Sequence, residues 1–379
     1  MKKYVYPVGL IVISLILFVG CPEPAAQLGD GTLGNPYLVS NAQELWAVRE
    51  NPYVHYRQVA DINLAGFNEG QWVPIGYDED NPSVPGTFMG TYDGGGYEIS
   101  NMRVTNMRGG LFDRLQAVDS VVIKNITLVD AIISCDADVG STGLLASYTS
   151  GDIENCSVEG SITAASTQNI GGLVGILDAN VDYCGAYVDL AGIRSIGGIA
   201  GQVSAPVSIE HTFATGEIIA SGNEYGSYTG GVIGWSQASS VTLDSTYFVG
   251  EIRGANGTLG GLIGGKSSEG DTITISDCYV VAKITSNNGE SRTTWGKIIG
   301  SASTTIPTDC YHYVEYLYTG NTSTQIVKGT PRALDQMKQE ATFANWDFSS
   351  VWDIDENSSF PYLTDNVQLP HPIFTFPDD

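Results

Sequence analysis

The chain reads as an all-β protein: a parallel β-helix with three short strands per coil and a short helical cap at each end. Three observations predict this. First, a glycine-and-aliphatic phrase recurs as Gly109-Gly110-Leu111-Phe112, Gly143-Leu144-Leu145, Gly171-Gly172-Leu173-Val174-Gly175, Gly197-Gly198-Ile199-Ala200-Gly201, Gly230-Gly231-Val232-Ile233-Gly234, Gly260-Gly261-Leu262-Ile263-Gly264 and Gly296-Lys297-Ile298-Ile299-Gly300. Counted from the second position of each phrase, the steps are 33, 29, 26, 33, 30 and 36 residues. A period of about 30 marks stacked supersecondary units. Second, a column of Ile126, Cys156, Cys184, Thr212, Thr246, Cys278 and Cys310 recurs at steps of 28 to 34 residues, and all but Cys310 have an aliphatic residue three before and another six after. Third, nothing helical lies between these points, so each repeat is a coil whose equivalent residues stack on rungs about 4.8 Å apart.

Taken from the start, residues 1–20 have the form of a signal peptide. Lys2 and Lys3 precede a 12-residue apolar run from Val8 to Val19. That run is too short for a membrane span, which needs about 20 apolar residues. Phe18-Val19-Gly20-Cys21 resembles the lipobox of bacterial lipoproteins, with Phe18 where Leu is usual. The resemblance implies lipid attachment at Cys21, export, and anchoring at the bacterial surface or outer membrane through that lipid alone. Residues 21–34 then read as a tether, opened by Pro22 and Pro24.

Composition bounds the partners. The 379 residues carry a formal net charge of −25. Without Lys2 and Lys3, 15 basic groups face 42 acidic ones, or −27. Such a field disfavours nucleic acid and anionic lipid and suits cations or cationic partners.

Residues 35–105 form the N-terminal cap and first coil. Ser40-Asn41-Ala42-Gln43 has capping-box spacing, and Leu45, Trp46 and Val48 follow, so a short helix is expected from Asn41 to Arg49. Tyr56 to Leu64 reads as strand, and Trp72-Val73-Pro74-Ile75-Gly76 as an apolar corner. Asp93-Gly94-Gly95-Gly96 between aromatic segments is tight-turn chemistry. It lacks the Gly-Lys-Ser/Thr and following helix of a phosphate loop.

Residues 106–318 are the repeat β-helix. Cys156, Cys184, Cys278 and Cys310 alternate with Thr and Ile as a ladder of small inward side chains, and free buried thiols are expected there and at Cys135. Two residues before that ladder stand Glu154, Asp182, Glu210 and Asp244, with Ser276 ending the series. Carboxylates opposed on adjacent strands repel. Either the coils are offset, or water and salt screen the column, or cations such as calcium bind it; no cofactor is assigned. Residues 319–379 form the C-terminal cap and tail. A loop falls at Thr319–Thr324 and a short helix at Ala333–Ala341, and Phe343, Trp346, Phe348, Val351, Trp352, Phe360, Tyr362 and Leu363 supply bulk to plug the far end. A loose tail follows Asp365.

The glycine phrases at 172, 198, 231 and 261 resemble the GLUG motif of bacterial cell-surface proteins. Further residues carry the same resemblance: Asn35-Pro36-Tyr37-Leu38-Val39, Asp61-Ile62-Asn63-Leu64, Phe88 to Asn101, Met337 to Phe343, Trp346-Asp347-Phe348 and Pro361-Tyr362-Leu363. It implies an adhesin-like β-helix binding a host or bacterial surface glycan or protein without catalysis. The motif also accompanies metallopeptidases that cleave immunoglobulin A, but His-Glu-x-x-His is absent, and His55, His211, His312 and His371 have no zinc-ligand spacing. No Gly-x-Ser-x-Gly elbow occurs. The enzymatic alternative is a polysaccharide lyase or glycoside hydrolase of the pectin-lyase-like kind, with Asp152, Asp182, Asp244 and Asp277 as possible carboxylates and Arg194 and Arg253 in the repeat zone.

Overall fold

The computed structural model describes residues 28–366 except 79–85, 117–120, 223–225, 255–256, 269–270, 287–292, 302–304 and 319–322. The leader, Cys21, the first half of the tether (21–27), most of the loop at 319–324 and the tail after 366 lie outside the described residues. The chain winds as a coil of parallel strands, each paired with the equivalent strands of the rungs above and below. Among the described residues these strands form sheets of nine, seven, six and eleven.

The fold class is the one expected, but the number of strands per coil is corrected from three to four. One full coil runs through Asp152–Glu154, Ser157–Ala164, Asn169–Gly171 and Val174–Leu177. The glycine phrase holds a corner between two short strands, not one strand. Its aliphatic residue points inward at that corner: Leu173, Ile199, Val232 and Leu262 are all fully buried. Their amides bond successive carbonyls, Leu173 to Ile199 at 3.1 Å, Ile199 to Val232 at 3.0 Å and Val232 to Leu262 at 2.9 Å. Close approach explains the glycines. A Cβ on Gly198 would lie 2.3 Å from the Gly231 carbonyl oxygen, closer than any side chain tolerates.

At the N-terminus the helix is Ala42–Ala47, followed by a 3-10 turn at Val48–Glu50. The capping box sits one residue later than its sequence spacing suggests. Asn41 is the N-cap and accepts from the Glu44 amide at 3.0 Å, while the Glu44 carboxylate accepts from the Ser40 amide at 2.7 Å. The flanking strands Tyr37–Val39 and Tyr56–Gln58 already pair in parallel, so this non-repetitive segment stands on the ladder that it caps. The Asp93–Gly96 turn joins strands of two different sheets, with Gly95 and Gly96 at φ of 62° and 78°.

The C-terminal element departs most from expectation. The helix at Ala333–Ala341 is two 3-10 turns, Gln336–Lys338 and Glu340–Thr342, separated by Gln339 in extended geometry. The aromatic residues do not plug the end of the coil. They clasp its flank, where Phe213, Tyr247, Tyr279 and Tyr311 form an outward ladder on the eleven-stranded sheet. Tyr247 stacks on Phe213 at 5.1 Å and on Tyr279 at 4.7 Å, and Trp346 and Trp352 cover the ladder. The Tyr279 hydroxyl donates to the Pro361 carbonyl at 2.7 Å. Ladder and clasp bury each other's apolar surface, which a flat outer face of tyrosines otherwise leaves wet.

Candidate functional site: a groove on the long sheet

The expected site column is present and in register. Glu154 pairs with Asp182, Asp182 with Glu210, Glu210 with Asp244 and Asp244 with Ser276. The coils are therefore not offset, and local donors moderate the repulsion. Asp182 accepts from the Tyr183 amide at 3.0 Å and faces His211 Nδ1 at 2.9 Å, while Asp244 accepts from the hydroxyls of Ser245 and Ser276. No group of three or more His, Cys, Asp or Glu among the described residues is arranged to hold a metal ion. The column is a partly exposed face of the nine-stranded sheet, and none of its residues lines the groove on the eleven-stranded sheet. Of the carboxylates offered for catalysis, Asp182 and Asp244 stand in it and Asp277 follows at the corner. Asp152 accepts from the Asn180 amide at 2.9 Å. Arg194 reaches Gln168 at 3.2 Å and takes no part in the groove described next.

The ladder beside the column has a chemical reason beyond size. The residue before each ladder position takes a left-handed turn: Asn125, Asn155, Tyr183, His211, Ser245, Asp277 and Asp309 have φ between 42° and 55°. That turn leaves a carbonyl two residues before the ladder position. Cys156, Cys184, Thr212, Thr246, Cys278 and Cys310 each donate their thiol or hydroxyl to it, for example Thr246 to Asp244 at 2.9 Å and Cys184 to Asp182 at 3.2 Å. All five described cysteines are free and buried, and burial pushes the Cys184 and Cys278 thiols well up. Cys184 and Cys278 are thus structural donors with little thiolate character.

A site that the sequence did not announce lies on the outer face of the eleven-stranded sheet. In the middle of its long strands, four or five residues after the ladder, stand Ala131, Gly160, Val188, Gly216 and Gly250. The strand register shifts between Val158 and Gly160, and Gly216 has a φ of 125°. A Cβ on Gly160 would meet the Ala131 carbonyl at 2.0 Å, and one on Gly216 the Val188 carbonyl at 2.1 Å. Along this bend of small residues runs a groove of about 530 Å³. A neighbouring hollow of about 340 Å³ shares Asp189, Thr215 and Gly216 with it. The walls carry Asp130, Glu159, Asp189, Ser161, Thr215 and Tyr187, with Arg103 at one end and Arg253 at the other. Arg103 donates to the Met102 and Asp130 carbonyls. Arg253 is tied to Glu217 at 2.8 Å and Glu251 at 2.9 Å. Tyr187 packs edge-on against Phe213 at 5.2 Å, so the groove begins where the aromatic clasp stops. The mid-strand glycines at 160, 216 and 250 were the legible signal for it, because glycine inside a strand marks a bend or a close approach.

No family model matches the chain. It is 30% identical over 275 residues to halomucin of Haloquadratum walsbyi, covering 62% of this chain and 3% of that protein. It is 31% identical over 139 residues to a provisionally named Gly-rich membrane protein of Evansella cellulosilytica, covering 35% of this chain and 15% of that one. With an immunoglobulin A1 protease of Streptococcus pneumoniae it shares 27% identity over 220 residues, 48% of this chain and 11% of the protease. The chain thus spans a small part of each curated relative. Among solved structures, a Bacteroides ovatus protein provisionally named an immunoglobulin A1 protease superposes with a TM-score of 0.57 at 20% identity, over 89% of this chain and 94% of the other. That likeness establishes a shared β-helical fold.

Proposed function

We propose that this chain is a non-catalytic cell-surface β-helix that holds an extended ligand, a surface glycan or protein, in the groove on its long sheet. The observation that carries the reading is the groove itself: an open trough spanning several rungs, walled by polar side chains and a tyrosine, left uncovered where the aromatic clasp ends. Rung repetition suits a chain-like ligand, since equivalent positions recur along the trough. Support for surface display comes from the lipobox-like Phe18-Val19-Gly20-Cys21, from the GLUG resemblance, and from the membrane-protein name of one relative. On this reading the protein is exported and held by lipid on Cys21, and its charge keeps it off nucleic acid.

Retention of the purified full chain on fixed host matrix, on immobilised glycans and on bacterial cells tests the reading, beside a Ser161→Trp variant that fills the trough. Retention by the parent chain and its loss in the variant is the expected result. Equal retention by both moves binding away from the groove. Release of reducing or unsaturated ends from a polysaccharide panel overturns the non-catalytic reading in favour of a pectin-lyase-like enzyme.

A further inference from the structure

We infer that the groove takes a cationic polypeptide segment, one in which lysine or arginine side chains accompany aliphatic ones. This deepens the proposed binding role and rests on it. The groove walls carry three carboxylates, Asp130, Glu159 and Asp189, and none has an ion-pair partner among the described residues. Asp189 accepts one backbone hydrogen bond, from the Glu217 amide at 3.1 Å, which leaves its charge uncompensated. The two arginines stand at the ends: Arg103 is held by backbone carbonyls and makes no ion pair with a groove carboxylate among the described residues, and Arg253 is paired with Glu217 and Glu251.

Register sharpens the chemistry. Glu159 is paired directly with Tyr187, and Asp189 stands two residues further along the Tyr187 strand. An aromatic ring between two carboxylates is the arrangement that receives an ammonium or guanidinium, by ion pairing at its edge and by attraction to its face. The net charge of −25 steers cations toward the whole molecule, and the trough concentrates that field between low-dielectric walls.

Two features favour a polypeptide over a cationic sugar chain. Ile132, at the trough wall, is 38% exposed, one of few large apolar side chains left so open among the described residues. An aliphatic side chain of a peptide covers it, whereas a sugar chain offers hydroxyls. Glu159 and Asp189 are diagonal neighbours on adjacent rungs, about 7–8 Å apart, while same-face side chains of an extended peptide repeat at about 6.8 Å. The long flexible stems of lysine and arginine absorb that mismatch.

The test uses the full chain and a fluorescent decapeptide alternating lysine and leucine, read by anisotropy at low and high salt. Chitosan oligomers and neutral glycan oligomers serve as competitors. A Glu159→Gln/Asp189→Asn variant removes two exposed charges and keeps one acceptor oxygen on each side chain. A Glu154→Gln/Glu210→Gln variant removes two charges from the other sheet. The inference expects peptide binding that weakens with salt, falls about three- to tenfold in the groove variant, and changes little in the control. Equal loss in both variants overturns it, by showing attraction to net charge alone. No peptide binding, or unchanged binding in the groove variant, overturns it as well. Displacement by chitosan at concentrations where free peptide fails assigns the groove to a cationic glycan instead. Neutral glycans that compete for the groove while the peptide binds elsewhere refute this inference and leave the binding role standing.

Discussion

At Asn125, Asn155, Tyr183, His211, Ser245, Asp277 and Asp309 the backbone turns through positive φ on seven successive rungs. Asn and Asp enter that region at least cost because their short side chains bond locally. Asn155 also donates across the rungs, to the Asn125 side chain at 2.7 Å. Asp277 is the strained member. Burial, then the neighbouring Asp244 and Asp309, push its carboxyl up to about 6. Its proton is held more tightly in the folded chain than in the unfolded one, where the value is about 3.9. The penalty is absent below that unfolded value, grows as pH rises toward 6, and is complete above it. Asp277→Asn is therefore expected to raise stability at pH 7 and leave it unchanged near pH 3.5. The gain is about 1 kcal/mol after allowance for solvent screening, measurable as paired urea titrations at the two pH values. A gain at pH 3.5 as large as at pH 7 would refute the electrostatic account. The neighbouring thiols carry a second expectation. With five buried free cysteines, a thiol reagent finds none of Cys135, Cys156, Cys184, Cys278 and Cys310 in the native protein and all five once it is denatured without reductant. Fewer than five then reacting would mean bridges that the ladder geometry disfavours.

The element that the repeats do not explain is the aromatic clasp. Its anchors include the Tyr279 hydroxyl on Pro361, the Trp346 indole on the Asp309 carbonyl at 2.8 Å, Asn345 on the Asp309 carboxylate at 2.9 Å, and ring contacts around Trp346. Trp346 is only 6% exposed, and Trp346→Ala should cost about 3–5 kcal/mol of local stability. Because the solenoid has its own core, the loss is expected to fall on the clasp. Limited proteolysis would remove the C-terminal segment of the variant while the coils stay protected. Coils degraded at the same rate as the clasp would show that the two fold as one unit. The mid-strand bend is the other decisive element. Glycines at 160, 216 and 250 let the long strands kink without steric conflict, and that kink is where the groove lies.

As a whole molecule, the protein is one-dimensional: each coil touches mainly its two neighbours, and stability is close to a sum of coil and interface contributions. Deletion of residues 172–197, one full step of the repeat, should keep the register of every remaining column and leave a folded protein that melts at a somewhat lower temperature. Deletion of half that length displaces the aliphatic ladder to the wrong side and should abolish cooperative melting. A full-coil deletion that fails to fold while the half-coil deletion survives would contradict the repeat registration. Much of this scale was legible beforehand. The glycine corners at 172, 198, 231 and 261, the inward aliphatic residues beside them and the cysteine–threonine ladder fall where their spacing places them, because rung-to-rung stacking forces equal environments on equal positions. The fourth strand was not legible, since a corner inside a five-residue phrase leaves the hydrophobic pattern unchanged. Nor was the flank position of the clasp, since Trp346 and Phe343 in sequence tell only that they need cover. The groove escaped for the same reason: Asp130, Glu159, Tyr187 and Asp189 sit on three different coils, and only winding brings them together. Periodicity along one chain determines which residues share a rung position and face the core. What lies on the outside of neighbouring rungs, and what covers it, is decided by contacts between segments far apart in sequence, to which a repeat period is blind.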